Sequence, residues 1–490
     1  MLPKKEKLTP RFLGKIHHPA LGIRIPELVL PGIFTSLKKH ETAATMMLSF
    51  GRETAPQSVI DAPPGRYEIT LGHTGTSIRQ YQNDAMKASQ QYGVPIEIEA
   101  DHLIVIGSSA SAVKRIAGVH VSEHLSPEQL EKSLAYNFSA VNEAIEHGHV
   151  DVFTTDTSDL FWLEADELSA DERDRAFSEK FSPEKQSYYL QTFANKKLSF
   201  HTDTGKEFFI QLTDADVKRL ALKFHDSIDV NQRIYDYIQS QIHNPFGFEI
   251  SMDETEAKTG VKELYFYLRE WTNRGLPVDF VAPNIGFKKR ADYDGDLSEL
   301  GDLAAEHAAV ARSFDGALLS IHSGSGTTPY SGKGSGTYET LLKATGNRLK
   351  YKISGVYYEL FMELLAAFPR ETEERNLFEQ IFVAVQRYLE NEIEIDGLLA
   401  TDLLKKQLEN YHRAVREDPG KAMDPRADFF RFHSYLAMNF RNSEGIRIFR
   451  NKLTTLYQFS KAYREKVDAE VEGLTDRLIE GLKFENNLTK

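Results

Sequence analysis

Leu-Leu-Ser-Ile-His-Ser-Gly-Ser-Gly-Thr-Thr-Pro-Tyr-Ser-Gly-Lys-Gly-Ser-Gly, residues 318–336, runs from an apolar strand-like stretch into a glycine- and serine-rich loop, with His322 at the junction. An α/β protein presents chemistry at the carboxyl end of a strand in this way. The glycines let backbone N–H groups approach an anion, and Ser323, Ser325 and Lys333 add donors for a carboxylate, a phosphate or sugar hydroxyls. Flexible linkers are also rich in Gly and Ser. The strand-like run before this loop and the helical pattern after it, at 338–344, argue against a linker.

Outward from this loop, short strand-like runs alternate with amphipathic helical stretches, which is the signature of βα units on a parallel sheet. Strands are expected at 66–71, 94–100, 150–154, 246–251, 278–282, 317–321 and 350–355, with 429–435 as a strand or helix. Ser126, Pro127 and Gln129 form a helix start, and further helices are expected over 261–274 and 297–313. Seven or eight strands with intervening helices predict an α/β fold, a (β/α)8 TIM-like barrel. No G-x-G-x-x-G opens an early unit as a dinucleotide-binding doubly wound sheet would require. The expected layout is an N-terminal extension at 1–65 and a barrel at 66–444. Residues 157–245 form an insertion or lid with a hairpin turning at Asp203-Thr204-Gly205. A C-terminal helical segment, one long helix or a helix pair, occupies 445–490.

The chain has 490 residues, 41% of them hydrophobic and 27% charged, which suits a globular protein with a large core. A net charge of −13 opposes general attraction to nucleic acid or anionic membrane surfaces. With no cysteine, disulfides, thiolate nucleophiles and Cys-based metal sites are excluded, so any metal must use His, Asp, Glu or water. Basic residues near the amino terminus precede no apolar signal-peptide core, and no stretch has membrane-spanning length; a cytoplasmic location is expected.

Barrel chemistry gathers at strand carboxyl ends. The polar residues expected there are His73, Asp101, His102, Asp156, Glu249, Asp253, Asn284, His322, Lys352 and Ser354. Imidazoles with a carboxylate suit Zn²⁺, Ni²⁺, Co²⁺ or Mn²⁺, and His102, Glu249 and His322 are the chosen ligand set. Period-two alternation puts Glu249, Ser251 and Asp253 on one strand face, and Glu97, Glu99 and Asp101 on another. Glu99 or Asp101 can serve as base or ligand. Lys352 can polarise a carbonyl, bind a carboxylate or form a Schiff base. The Lys288-Lys289-Arg290 run offers a landing place for an anion, although charge runs are usually solvated. His17, His18, His147 and His149 are read as structural or incidental.

Four segments together resemble the tagaturonate epimerase family: Tyr67-Glu-Ile-Thr-Leu-Gly-His-Thr-Gly-Thr76, Glu97-Ile-Glu-Ala-Asp-His102, Gly247-Phe-Glu-Ile-Ser-Met-Asp253 and Ser320-Ile-His-Ser-Gly-Ser-Gly326. The resemblance implies a metal-dependent (β/α)8 barrel that interconverts the ketouronates D-tagaturonate and D-fructuronate, which differ at carbon 4. That carbon is one bond too far from the C2 ketone for α-proton abstraction. The expected route is retro-aldol cleavage between carbons 3 and 4, rotation of the aldehyde and re-addition. Asp101 or Asp253 is the expected base, and Lys352, Ser323 and Ser325 the expected carboxylate anchors, with His73, Asn284 and Lys333 as further substrate contacts. A redox route would need a nicotinamide, for which no fingerprint exists. The rival readings are a metal-dependent aldolase, a ketose isomerase and a non-enzymatic sugar-acid binding protein.

Overall fold

The computed structural model describes residues 8–108, 125–147, 149–322 and 324–488. Eight parallel strands close into a barrel: β1 (His18–Gly22), β2 (Ala44–Ser49), β3 (Ile96–Ile104), β4 (Val152–Asp156), β5 (Gly247–Met252), β6 (Phe280–Pro283), β7 (Leu318–Ile321) and β8 (Leu349–Ile353). Each strand pairs with its sequence neighbour, and β8 closes on β1 with His18 opposite Lys350. A helix follows every strand: α1 (Pro26–Lys39), α2 (Ile78–Tyr92), α3 (Pro127–His147), α4 (Asp214–Gln241), α5 (Val261–Asn273), α6 (Leu297–Arg312), α7 (Thr337–Thr345) and α8 (Val356–Ala366). This is the (β/α)8 barrel that the alternation predicts.

The barrel begins well before residue 66, so residues 1–65 are not an extension. They contain β1 and β2, whose residues are buried throughout and show no solvent-facing alternation. Residues 66–71, expected as the first strand, form turns, and Tyr67 there is exposed. Residues 429–435 are a short helix, Asp428–His433, running into the 3-10 turn Ser434–Asn439. Ser126 and Gln129 do cap α3: the Ser126 N–H donates to Gln129 Oε1 at 2.8 Å, and the Gln129 N–H to Ser126 Oγ at 3.2 Å.

Within 157–245, α4 is the barrel's own crossover helix. Only the part before it is additional: 3-10 turns, the helices Ala170–Lys180 and Pro183–Phe193, and the hairpin Lys197–His201 with Glu207–Gln211. These pieces pack on the outer helices α4, α5 and α6. After α8 come α9 (Glu373–Glu394), α10 (Asp402–Glu417), α11 (Ile448–Phe459) and α12 (Lys461–Gly481), so the last segment is a helix pair. Helix α12 lies against α1 at a close crossing. A Cβ on Gly32 would sit 2.7 Å from the Asp468 carbonyl oxygen and 2.8 Å from Val471 Cβ.

The inside of the barrel is charged rather than apolar. Lys350 Nζ lies 2.5 Å from Glu99 Oε2 and 3.0 Å from Glu249 Oε2. Lys352 Nζ lies 2.5 Å from Glu99 Oε1, 2.7 Å from Asp101 Oδ1 and 2.9 Å from Glu249 Oε1. Below them Glu97 accepts from Thr45 Oγ1 at 2.6 Å and lies 3.2 Å from His18 Nε2. Buried charges of this kind persist only when each finds a partner, and removing one member strands the rest at a cost of about 3–5 kcal/mol. The network fixes the strand residues from which the site above it projects.

Candidate active site

Directly above this network lie His102, Asp253 and His322, whose ligand atoms fall within 4.8 Å of one another. His102 reaches the group through a backbone irregularity. In a regular strand it would face away from Asp101, but the β3–β4 register shifts between Ala100 and Leu103 and His102 takes φ +48°. The bulge turns both side chains toward the cavity.

Both imidazoles are oriented from behind. His102 Nδ1 lies 2.7 Å from Asp101 Oδ1, and His322 Nε2 lies 2.8 Å from Glu249 Oε1. If those nitrogens carry the ring protons, His102 Nε2 and His322 Nδ1 present lone pairs toward Asp253 Oδ1, at 3.9 and 3.0 Å. Two oriented imidazoles and a buried carboxylate fit a divalent cation with nitrogen and oxygen preference. Glu249, chosen from the sequence as a ligand, stands behind His322 and on Lys350 and Lys352, while Asp253 completes the group. A second group, His102, Asp156 and Glu254, shares His102.

Charge sets the protonation states. Burial works against ionised Asp101, yet His102 and Lys352 hold its pKa well below the usual carboxylate range. Burial likewise opposes ionisation of Asp253, which His322 and Lys289 overcome. His102 is opposed by burial but held up to about 10 by Asp101 and Asp253. A cation arriving here would replace that proton as the partner of the carboxylates.

A cavity of about 160 Å³ opens beside the group, with Asp101, His102, His322 and Lys352 in its wall. Four further cations line it. Arg24 pairs with Glu53, Arg52 Nη1 lies 2.8 Å from Glu254 Oε1, and Arg290 Nε lies 2.7 Å from Glu359 Oε1. Lys289 is less committed, 3.7 Å from Asp253 Oδ2. Phe432, His433 and Tyr435 come from the C-terminal region, and none of the lining residues comes from 157–245.

The other residues expected at the site divide. His73 and Ser325 line the cavity. The Asn284 side chain instead donates to the Thr255 carbonyl at 2.6 Å and accepts from the Gly286 N–H at 2.8 Å, bracing the loop after β6. Lys333 is buried, donates to the carbonyls of Lys288 and Ala291, and is not in the cavity wall. Ser323 lies outside the described residues. Arg24, Arg52, Glu53 and Glu254 were not anticipated. The first three follow β1 and β2, so recognising those strands would have exposed them. Glu254 directly follows Asp253 at the end of β5.

A family model described as tagaturonate epimerase matches residues 136–410, more than half of the chain. A tagaturonate/fructuronate epimerase of Thermotoga maritima is 29% identical over 209 residues, which span 42% of this chain and 40% of that protein. The crystal structure of fructuronate-tagaturonate epimerase from Cohnella laeviribosi matches with a TM-score of 0.67 at 20% identity, over 97% of this chain and 83% of that one. A complex of the same enzyme with two glycerols gives 0.66 at 19% identity. At such identities the structural likeness establishes the fold, while the family match rests on sequence. The barrel and the match across more than half the chain agree, and the chain belongs to the tagaturonate epimerase family.

Proposed function

We propose that this chain is a divalent-metal-dependent isomerase that interconverts D-tagaturonate and D-fructuronate by inversion at carbon 4. The observation that carries the reading is the group His102, Asp253 and His322, whose imidazoles are oriented by Asp101 and Glu249, set beside a cavity rimmed by cations in an acidic protein. Family membership supports tagaturonate as a substrate, and the name of the Thermotoga maritima relative, tagaturonate/fructuronate epimerase, supports fructuronate as its partner.

Carbon 4 is β to the ketone, so breaking the bond between carbons 3 and 4 makes it planar, whereas α-proton removal leaves it untouched. His102, Asp253 and His322 would hold a divalent cation, and the chemistry it would supply is Lewis-acid charge beside the ketone. Lys352, which Asp101, Glu249 and Glu99 hold as a cation against the effect of burial, donates a hydrogen bond to the carbon-4 oxygen. With Lys352 committed to buried carboxylates, the substrate carboxylate falls to Lys289, Arg290 and Ser325 at the rim. The cavity walls keep the aldehyde fragment in place while it turns. The test is to strip the enzyme with chelator and restore it with Zn²⁺, Ni²⁺, Co²⁺ or Mn²⁺, following each ketouronate chromatographically. The reading expects interconversion that returns with metal in the native enzyme and fails to return in His102→Ala. Full activity after chelation would contradict it, and release of three-carbon fragments as the main product would indicate an aldolase.

A further inference from the structure

Two guanidinium groups from different strand ends meet at the rim of the cavity. Arg24 follows β1 and Arg290 follows β6, yet both reach Gly355, which joins β8 to α8. A Cβ on Gly355 would stand 3.5 Å from Arg24 Nη2, 3.7 Å from Arg24 Nη1 and 3.7 Å from Arg290 Nη2. Arg24, Arg290, Ser354 and Gly355 all line the cavity.

Each guanidinium is fixed by a carboxylate and an aromatic ring. Arg24 Nη2 donates to Glu53 Oε1, its Nε donates to Ser354 Oγ at 2.9 Å, and its guanidinium carbon lies 5.2 Å from the centroid of the Tyr358 ring. Arg290 Nε donates to Glu359 Oε1 at 2.7 Å, and its guanidinium carbon lies 4.8 Å from the centroid of the Phe432 ring. The backbone at Arg290 takes φ +55°, a left-handed conformation uncommon outside glycine. Lys333 secures it by donating to the carbonyls on either side, of Lys288 and Ala291. Glu359 also accepts from Arg431 Nη2 at 2.6 Å, so three guanidinium groups share two carboxylates and one positive charge is left over. Burial, with Arg24 and Arg431 close by, holds the Arg290 guanidinium below its ordinary pKa despite Glu359. Arg24 Nη1 and both Nη groups of Arg290 have no hydrogen-bond partner among the described residues.

We propose that Arg24 and Arg290 form a pincer over Gly355 that grips the carboxylate of the ketouronate and selects a uronate over a neutral ketose, an inference that rests on the epimerase reading above. Each carboxylate oxygen accepts from one guanidinium in a charge-assisted bond, and the added negative charge matches the positive charge left over. Lys289 adds its charge from the same rim. The anion has to approach the backbone at residue 355, and glycine leaves that approach open. Helix α8 begins at Val356, so its positive end faces the same anion. Gly355 stands three residues beyond Lys352, at most about 11 Å along an extended chain. A six-carbon ketouronate gripped at the pincer can therefore extend its carbon-4 oxygen to Lys352.

The test uses the metal-loaded full chain with Gly355→Ala and, separately, Arg24→Lys, which keeps a cation beside Glu53 but loses the guanidinium fork. Gly355 has φ −60° and ψ −22°, which alanine adopts freely, and the added methyl makes only ordinary contacts with the guanidinium nitrogens. The melting temperature of Gly355→Ala should therefore stay near that of the native enzyme. The methyl nonetheless stands in the approach to the pincer. Each variant should raise KM for D-fructuronate about tenfold or more and change kcat by less than about threefold. The inhibition constant of D-fructose, which carries a hydroxymethyl group where D-fructuronate carries its carboxylate, should stay within about threefold of native. A KM within about threefold of native in either variant overturns the proposal. So does a parallel rise in the inhibition constant of D-fructose, which would mark a general distortion of the cavity. If the native enzyme interconverts the ketouronates and the variants match it, the pincer falls and the epimerase reading stands; a native enzyme that converts neither epimer refutes that reading itself.

Discussion

At the scale of single residues, the site rests on which nitrogen of each imidazole is anchored. Glu249 accepts from one side of His322 and leaves the other toward Asp253. Glu249→Gln should therefore weaken metal binding about 10- to 100-fold, the usual effect of losing a partner behind a ligand. Titration of the stripped protein with Zn²⁺ measures it, and unchanged affinity would remove Glu249 from that role. Lys289 is the cavity cation least engaged by a carboxylate, so Lys289→Met should raise KM for the ketouronate about tenfold or more and alter kcat less. Steady-state kinetics separate the two, and an unchanged KM would place the substrate carboxylate elsewhere. Alternation along the sequence put Glu249 and Asp253 on one face but could not rank them. Strand β5 ends at Met252, so Asp253 stands just beyond it while Glu249 remains inside the barrel. Nor could alternation bring His102 beside Asp101, because that depends on a bulge set by pairing with β4.

At the scale of elements, strands β3 to β8 were legible because each joins an apolar run to a polar end. Strands β1 and β2 were not: His-Pro-Ala-Leu-Gly and Ala-Thr-Met-Met-Leu-Ser are short and buried throughout. Residues 66–71 alternate as a strand would but have no edge to pair with in a closed barrel, and they turn. His73 still reaches the cavity, carried by the β2–α2 connection. The C-terminal segment reads as one long helix or a helix pair, but the seat of α12 on α1 depends on Gly32. Gly32→Val should cost about 1–3 kcal/mol through the clash with Asp468 and Val471, read as a lower urea midpoint. An unchanged midpoint would mean that the crossing can open without cost.

For the whole molecule, acid stability follows from buried imidazoles. Burial pushes His307 and His433 down to about 4. In the unfolded chain each has a pKa of about 6.5. As pH falls below that value the unfolded chain takes up protons first, so the stabilisation present above pH 6.5 is lost progressively down to about pH 4. A shift of this size corresponds to about 3 kcal/mol per residue. Denaturant unfolding at pH 7 and at pH 4.5 should show this loss, and His307→Gln should reduce it; equal stability at both pH values in the native protein would contradict the account. No helix among the described residues is long and apolar enough to cross a membrane. The most direct test of the central claim is proton NMR of metal-loaded enzyme with D-fructuronate in D₂O, beside a chelated sample. The account predicts metal-dependent D-tagaturonate that retains its carbon-4 proton. Deuterium at carbon 4 would contradict cleavage between carbons 3 and 4, and absence of conversion would contradict the epimerase.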